Sequence, residues 1–450
     1  VSEMIKKLKN LSQAQTIALG FFIVIMTGTL LLMLPISSRD GQCVGFIPAM
    51  FTATSATCVT GLVVVDTYTH WTLFGQIVVI SLIQIGGLGF VTMGVLFAMA
   101  LNRKVSLKQR ALIKESVNSL QLGGVVRLVR KIFIGTLIFE LTGAFLLSLF
   151  FVPRLGLGRG IYYSIFHSIS AFCNAGFDLM GFRGEYSSFT GEYDSIIINM
   201  TIMSLIVIGG IGFIVWDDIS KHGLHFRKYM LHTKIVLTTT CVLIFGGAFL
   251  FYIFERNNLM SGMSAKGAIL SSLFSSVTAR TAGFNTIDTA ALTPSSKLLT
   301  SILMFIGGSP GSTAGGIKTT TAATIIFYVG NNLRGRSECN VFKRRIDDDT
   351  VKKAGVIICI YLILALAGTL AICHIQGGAP ISDVLFEVCS AIGTVGMSTG
   401  ITRDLTDASR IIIALLMYCG RVGAMTFALA FTEKKTAAHV LLPGESITVG

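Results

Sequence analysis

Four short segments of this 450-residue chain hold residues suited to one kind of chemistry. They read Thr57-Cys58-Val59-Thr60-Gly61-Leu62, Cys173-Asn174-Ala175-Gly176-Phe177, Arg280-Thr281-Ala282-Gly283-Phe284-Asn285 and Gly393-Thr394-Val395-Gly396-Met397-Ser398. What they share is backbone chemistry. Glycine allows φ values that a Cβ disfavours and lets chains approach closely. Carbonyl oxygens gathered in a ring can replace the hydration shell of a monovalent cation. The aligned glycines Gly61, Gly176, Gly283 and Gly396 are separated by 115, 107 and 113 residues. A second glycine motif follows each: Ile85-Gly86-Gly87-Leu88-Gly89-Phe90, Ile208-Gly209-Gly210-Ile211-Gly212-Phe213, Ile306-Gly307-Gly308 and Cys419-Gly420-Arg421-Val422-Gly423. Two motifs recurring in order at one period mark an internal repeat. A lone glycine in apolar sequence is commonly a packing residue. Four at matched positions point instead to coordination. The candidate coordinating residues are Val59, Thr60, Gly61, Asn174, Ala175, Gly176, Thr281, Ala282, Gly283, Thr394, Val395 and Gly396. Only Thr394-Val395-Gly396 keeps three letters of a full TVGYG signature. Degenerate loops imply fewer carbonyl sites and looser selectivity than four full signatures.

These loops need helices to hold them at one depth. The chain is 52% hydrophobic and 13% charged, against about 25% charged in soluble domains. Long apolar runs lie near 16–36, 71–100, 131–152, 195–216, 234–254, 297–329, 354–375 and 408–431. About twenty apolar residues cross a bilayer. Between the members of each pair sits a shorter run, at 46–57, 161–173, 267–278 and 382–391. These are too short to span and suit re-entrant helices that line a cavity. The expected fold is an all-α membrane protein: four repeats of spanning helix, pore helix and spanning helix around a pseudo-fourfold central pore. That makes eight transmembrane helices and four re-entrant pore loops. The run after Lys6, Lys7 and Lys9 is too long for a signal peptide and reads as a retained span.

Charge distribution orients the repeats. The net charge is +13, and most of the 36 basic residues fall between repeats or at the ends. Asp66, Asp178, Glu185, Glu192, Asp194, Asp288, Asp404 and Asp407 fall on the other side. The segments are therefore a cytoplasmic N-terminus at 1–15, repeat 1 at 16–101, a loop at 102–130, repeat 2 at 131–216 and a loop at 217–233. Repeat 3 follows at 234–329, then a loop at 330–353, repeat 4 at 354–431 and a cytoplasmic tail at 432–450. Both termini are expected in the cytoplasm of a cell whose plasma membrane the chain crosses.

Repeat 3 carries an unusual second span, taken as the one broken span. Gly307-Gly308-Ser309-Pro310-Gly311-Ser312-Thr313-Ala314-Gly315-Gly316-Ile317-Lys318 cannot hold a regular helix, because each interior glycine costs about 1 kcal/mol and proline about 3. The expected role is a mobile constriction below the loops, with residues 307–316 and Lys318 as gate residues. A packing kink is the plainer alternative. Arg421 is the other gate candidate, since an intramembrane charge is expensive and functional by default. Its plainer alternative, shared by Lys318, is snorkelling to the basic side.

The four loops and the Gly-Ser-Pro-Gly-Ser-Thr-Ala-Gly-Gly-Ile-Lys-Thr stretch resemble those of the Trk/Ktr/HKT superfamily of potassium transporters, over nearly the whole chain. With eight spans, the likeness is greatest to the bacterial KtrB-type membrane subunit. The resemblance implies that the four glycines form a potassium filter, and that glycine at position 61 goes with potassium preference where serine goes with sodium. It implies an intramembrane gating loop at the broken span with an arginine beside it. It also implies a homodimer whose C-terminal tail helps the dimer contact. That dimer would sit on a cytosolic nucleotide-binding RCK ring, so ATP, ADP or NAD(H) would bind the partner only. The chain itself calls for no cofactor, only K+ as the transported ion and as the metal at the filter.

Other classes fit poorly. The nine cysteines are scattered without CxxC spacing, and the histidines lack zinc spacing. No HExxH or GxSxG motif appears, so an enzyme is not expected. The basic residues do not form a nucleic-acid surface. A sodium-coupled or less selective monovalent-cation secondary transporter is the alternative. It would more usually show inverted repeats, and Glu140 is the main acid well inside a span.

Overall fold

The computed structural model describes residues 11–101, 106–116, 124–336, 338–423 and 425–427. The N-terminal lysines and the 432–450 tail lie outside the described residues. In repeat 1, α1 (Gln13–Leu32) is followed by the short α2 (Phe46–Thr57), then α3 (Leu73–Leu88) and α4 (Phe90–Ala100). A connecting helix, α5 (Leu107–Ser116), leads to repeat 2: α6 (Val125–Leu155), the short α7 (Leu157–Phe172), α8 (Ile196–Gly210) and α9 (Phe213–His222). Repeat 3 is α10 (Leu231–Glu255), the short α11 (Ala265–Thr278), α12 (Pro294–Phe305) and α13 (Thr319–Asn332). A two-residue hairpin, β1 (Asn340–Val341) with β2 (Arg344–Arg345), precedes repeat 4. That repeat is α14 (Asp348–Gln376), the short α15 (Ile381–Gly393) and α16 (Asp407–Val422).

Hydropathy makes the spans and caps bound them. α1, α6, α10 and α14 are long and apolar enough to cross a membrane. At 1.5 Å rise per residue, even the 20-residue α1 reaches about 30 Å, the thickness of a bilayer's hydrocarbon core. Ser12 opens α1 with a reciprocal capping box to Gln15. Thr72, Thr293 and Thr406 cap α3, α12 and α16 at the equivalent point of three repeats. Each hydroxyl satisfies a backbone N–H that the first turn leaves open. Long-helix faces left exposed, including Phe22, Phe145, Phe249 and Leu370, are apolar, as a lipid-facing surface requires.

The helices that follow the short ones in repeats 1 and 2 correct the sequence reading, which expects a break only at 297–329. α3 and α4 meet at 95°, and α8 and α9 at 96°. The elbows are Gly89 (φ 82°) and Gly212 (φ 96°). Gly423 (φ 94°) ends α16 in the same way. Hydropathy averages across such a bend because the apolar run continues past the elbow, to Ala100 in repeat 1 and to Trp216 in repeat 2. The first glycine of the motif serves packing. A Cβ on Gly86, Gly209 or Gly420 would run into the carbonyl oxygen of Thr57, Phe172 or Ile392. In repeats 1, 2 and 4 the helix after the short one therefore lies directly on the C-terminal end of that short helix.

Candidate functional site

The four glycine loops close into a ring. A Cβ on Gly61 would lie 2.5 Å from the Ala175 carbonyl oxygen, and one on Gly176 2.5 Å from that of Ala282. Gly283 faces the Val395 carbonyl more closely still, and Gly396 returns to that of Thr60. Repeats 1, 2, 3 and 4 thus meet in cyclic order through backbone alone. All four glycines have positive φ, between 69° and 95°. Two residues before each stands a non-glycine with positive φ: Val59 (51°), Asn174 (58°), Thr281 (76°) and Thr394 (51°). Such residues are uncommon and cost energy, so the fold holds all four loops in one unfavoured conformation. The twelve candidate coordinating residues come together here. All but one are buried, Val395 and Thr394 with no exposed surface, and Gly396 is half-buried.

Hydroxyls on the short helices brace the loops. Ser55 Oγ accepts from Gly61 N at 3.0 Å and Ser390 Oγ from Gly396 N at 3.0 Å. In repeats 2 and 3 the hydroxyl instead donates, Ser170 to the Phe177 carbonyl and Thr278 to the Phe284 carbonyl, each at 2.7 Å. The ring is therefore fourfold at the glycines and two-and-two one residue later. Sequence reading missed these hydroxyls. Their signal is a Ser or Thr five or six positions before each glycine.

The ring separates two cavities. On the acidic side it floors a cavity of about 370 Å³ whose walls include Asp66, Asp178, Asp288, Tyr186 and Arg403. Asp66 joins repeats 1 and 2 by accepting from Tyr68 N, Thr69 N and Tyr186 N. Arg403 of repeat 4 lies 3.9 Å above the Tyr186 ring. Burial, aided by the nearby Asp66 charge, pushes Asp178 up from its ordinary carboxylate value to about 7. On the basic side a cavity of about 570 Å³ is lined by Phe213, Pro310, Ser312, Lys318, Lys353 and Arg421, among others.

Residues 307–316 pass between the ring and the basic-side cavity. Gly307 packs on the Thr281 methyl and Gly315 on the Thr394 side chain, positions that a Cβ would fill. Thr313, fully buried, accepts from Asn174 Nδ2 at 3.0 Å and donates to the Phe172 carbonyl at 3.2 Å. Ser309 N and Thr313 N donate to the Gly210 and Gly209 carbonyls, and the Gly311 carbonyl accepts from Phe213 N. The segment thus touches loops 2, 3 and 4 and the elbow of repeat 2. Lys318 does not snorkel away. Its Nζ folds back onto the Ala314 carbonyl at 2.7 Å. Arg421 donates to the Thr313 carbonyl and to the carbonyls of Gly86 and, at 2.9 Å, Gly87. One side chain of repeat 4 thereby ties the repeat 3 segment to the repeat 1 span. All the gate candidates are brought together.

Two buried charged side chains behind the loops were not singled out from sequence. Glu387 sits on α15 and Arg280 two residues past the end of α11, 1% and 7% exposed. Glu140 is buried on α6 and accepts from Gln84 of α3. No group of three or more metal-ligating side chains occurs among the described residues.

This architecture is that of a multi-pass membrane transport protein. A sequence profile described as TrkH, cation transport protein, matches residues 7–439. The chain is 40% identical to the potassium/sodium uptake protein NtpJ of Enterococcus hirae, covering 98% of both chains. It is also 40% identical to Ktr system potassium uptake protein B of Bacillus subtilis, covering 96% of both. The crystal structure of the potassium transporter TrkH from Vibrio parahaemolyticus shares the fold, with a TM-score of 0.71 at 19% identity over 92% of this chain and 84% of that one. The chain belongs to the TrkH family of cation transport proteins.

Proposed function

We propose that this chain is the ion-conducting membrane subunit of a potassium uptake system, passing K+ down its electrochemical gradient. The observation that carries the reading is the closed ring of Gly61, Gly176, Gly283 and Gly396, with a carbonyl oxygen of the next loop against each glycine. Carbonyls at a ring of this kind stand in for water around a partly dehydrated cation. The acidic cavity then faces outside and concentrates cations, as clefts of one sign do. The basic side faces the cytoplasm of a plasma-membrane protein with eight spans and four pore loops, both termini inside. Residues 307–316, Lys318 and Arg421 form the gate beneath the filter. Its control is assigned to a cytosolic RCK ring that carries the nucleotide and docks on the basic loops of a homodimer. The names of the Ktr relative and of the uptake protein of Enterococcus hirae support potassium as cargo.

The second name also includes sodium. With degenerate loops, this favours a second reading: a less selective or sodium-coupled carrier. Flux of K+, Rb+ and Na+ into liposomes holding the purified chain separates the two. The proposal expects K+ and Rb+ to exceed Na+, with no stoichiometric sodium movement. Equal Na+ and K+ flux, or uptake that requires a sodium gradient, would decide for the second reading.

A further inference from the structure

Nine residues before the ring glycine, the four short helices carry different side chains. Repeat 1 has Thr52, repeat 3 has Phe274, and repeats 2 and 4 have His167 and Glu387. Since the ring runs in repeat order, the last two stand on diagonal loops. Both are buried, at 0% and 1% exposure. Both reach the limb of chain that leaves the ring on the acidic side. His167 Nε2 accepts from Leu179 N at 3.1 Å, which leaves Nδ1–H to donate to the Tyr163 carbonyl at 2.8 Å. Glu387 Oε1 accepts from Thr402 Oγ1. Thr402 Oγ1 shares a second hydrogen bond of 2.8 Å with Ser398 Oγ, which accepts from Gly400 N at 2.9 Å. Thr289 of repeat 3 donates to the Ser398 carbonyl.

Ser398, Gly400 and Thr402 line the acidic-side cavity, and Ser398 stands two residues past Gly396. Glu387 is thus one hydroxyl removed from the wall that meets the ring. Its neighbours along α15, Val384, Val388 and Ile392, are in the apolar core. Burying an acid among them is costly without a hydrogen-bonded use, and a leucine would pack in its place. The hydrogen bond from Thr402 holds one carboxyl oxygen, Oε1, while Oε2 is buried without a hydrogen-bond partner among the described residues. Inside a protein such a bond is stronger than in water and stiffens what it holds.

We propose that Glu387 is a positioning residue that fixes the outer limb of the fourth loop through Thr402 and so sets the discrimination of the ring between K+ and Na+. His167 does the same for the diagonal loop. The inference rests on the reading of the ring as a filter. The test is the K+/Na+ flux ratio in liposomes for the full chain and for Thr402→Val, Glu387→Ala and Glu387→Gln. Thr402→Val keeps the side-chain shape and removes the donor. Glu387→Gln keeps an acceptor and removes the charge. The expected result is a ratio lowered roughly three- to tenfold in Thr402→Val and Glu387→Ala, the effect of one lost intramolecular hydrogen bond. Glu387→Gln is expected to stay near the unmodified chain. A Thr402→Val protein that elutes as the unmodified chain does and keeps its ratio overturns the proposal. So does a Glu387→Gln protein as unselective as Glu387→Ala, because charge and not position would then be at work. If the unmodified chain itself fails to favour K+, the filter reading falls first and takes the proposal with it.

Discussion

Asp178 stands two residues beyond Gly176, on the wall of the acidic-side cavity. Its carboxyl accepts from Met180 N at 2.9 Å, yet burial dominates and moves its ionisation to about 7. Above that pH the group is a carboxylate beside the ring; below it, the group is neutral. A negative charge there raises the local cation concentration. K+ uptake is therefore expected to fall roughly two- to tenfold as the pH on that side drops from 8 to 6, by loss of this attraction. The Asp178→Asn variant should be flat over the same range at the low-pH rate. A pH profile unchanged by the substitution would show that Asp178 does not face the ions. At this scale much was legible in sequence. The ring glycines were visible because positive φ and close backbone approach both exclude a Cβ, so residue type reports geometry. Ser170 and Thr278 were not, because a hydroxyl on an apolar helix bonds a loop carbonyl only once the loop has turned back.

Among the elements, the 307–316 segment combines irregular backbone with many specific tethers. Asn174, Arg421 and the repeat 2 elbow hold it from three sides. Such hydrogen bonds are individually modest, about 0.5–1.5 kcal/mol net each, so a segment held by several can be stable and still be released by a partner. Deleting residues 309–316 is expected to raise flux on the order of tenfold and to remove its regulation, as a change of about 1.4 kcal/mol in an open–closed equilibrium would. Arg421→Gln should move flux in the same direction by less. Flux that stays low and equally regulated in the deletion would contradict a gate at this place. The sequence disclosed the segment because proline and five glycines cannot continue a helix. It did not disclose the elbows at Gly89 and Gly212. One glycine in an apolar run fits a continuous helix as well as a bend, and the bend is decided by what the second arm packs against. For Gly212 that partner is the Pro310 carbonyl, nearly a hundred residues away in sequence. The targets of Arg421 were hidden for the same reason.

For the whole molecule, four divergent repeats build one ring inside a single chain. The repeat order could be read from the spacing of the glycines, whereas the closure of repeat 4 onto repeat 1 is a property of the fold. Divergence has left each repeat its own task. Repeat 3 supplies the segment beneath the ring, repeat 4 the arginine that ties it, and repeats 2 and 4 the buried braces behind it. Common to all four are the ring glycine, the residue of positive φ two before it and the short-helix hydroxyl behind it. A methyl group at any of the ring glycines must displace backbone of the next loop and also adopt a left-handed φ, a strain of about 1–3 kcal/mol even where space exists. The most direct measurement is therefore K+ flux and the K+/Na+ ratio for Gly61→Ala, Gly176→Ala, Gly283→Ala and Gly396→Ala, each purified as a folded protein and placed in liposomes. The ring account predicts that all four lose flux or selectivity alike, by about tenfold or more given that strain at the ion path. Any one of them conducting with the unmodified rate and ratio would mean that its loop is not part of the filter, and that the four glycines do not act as one site.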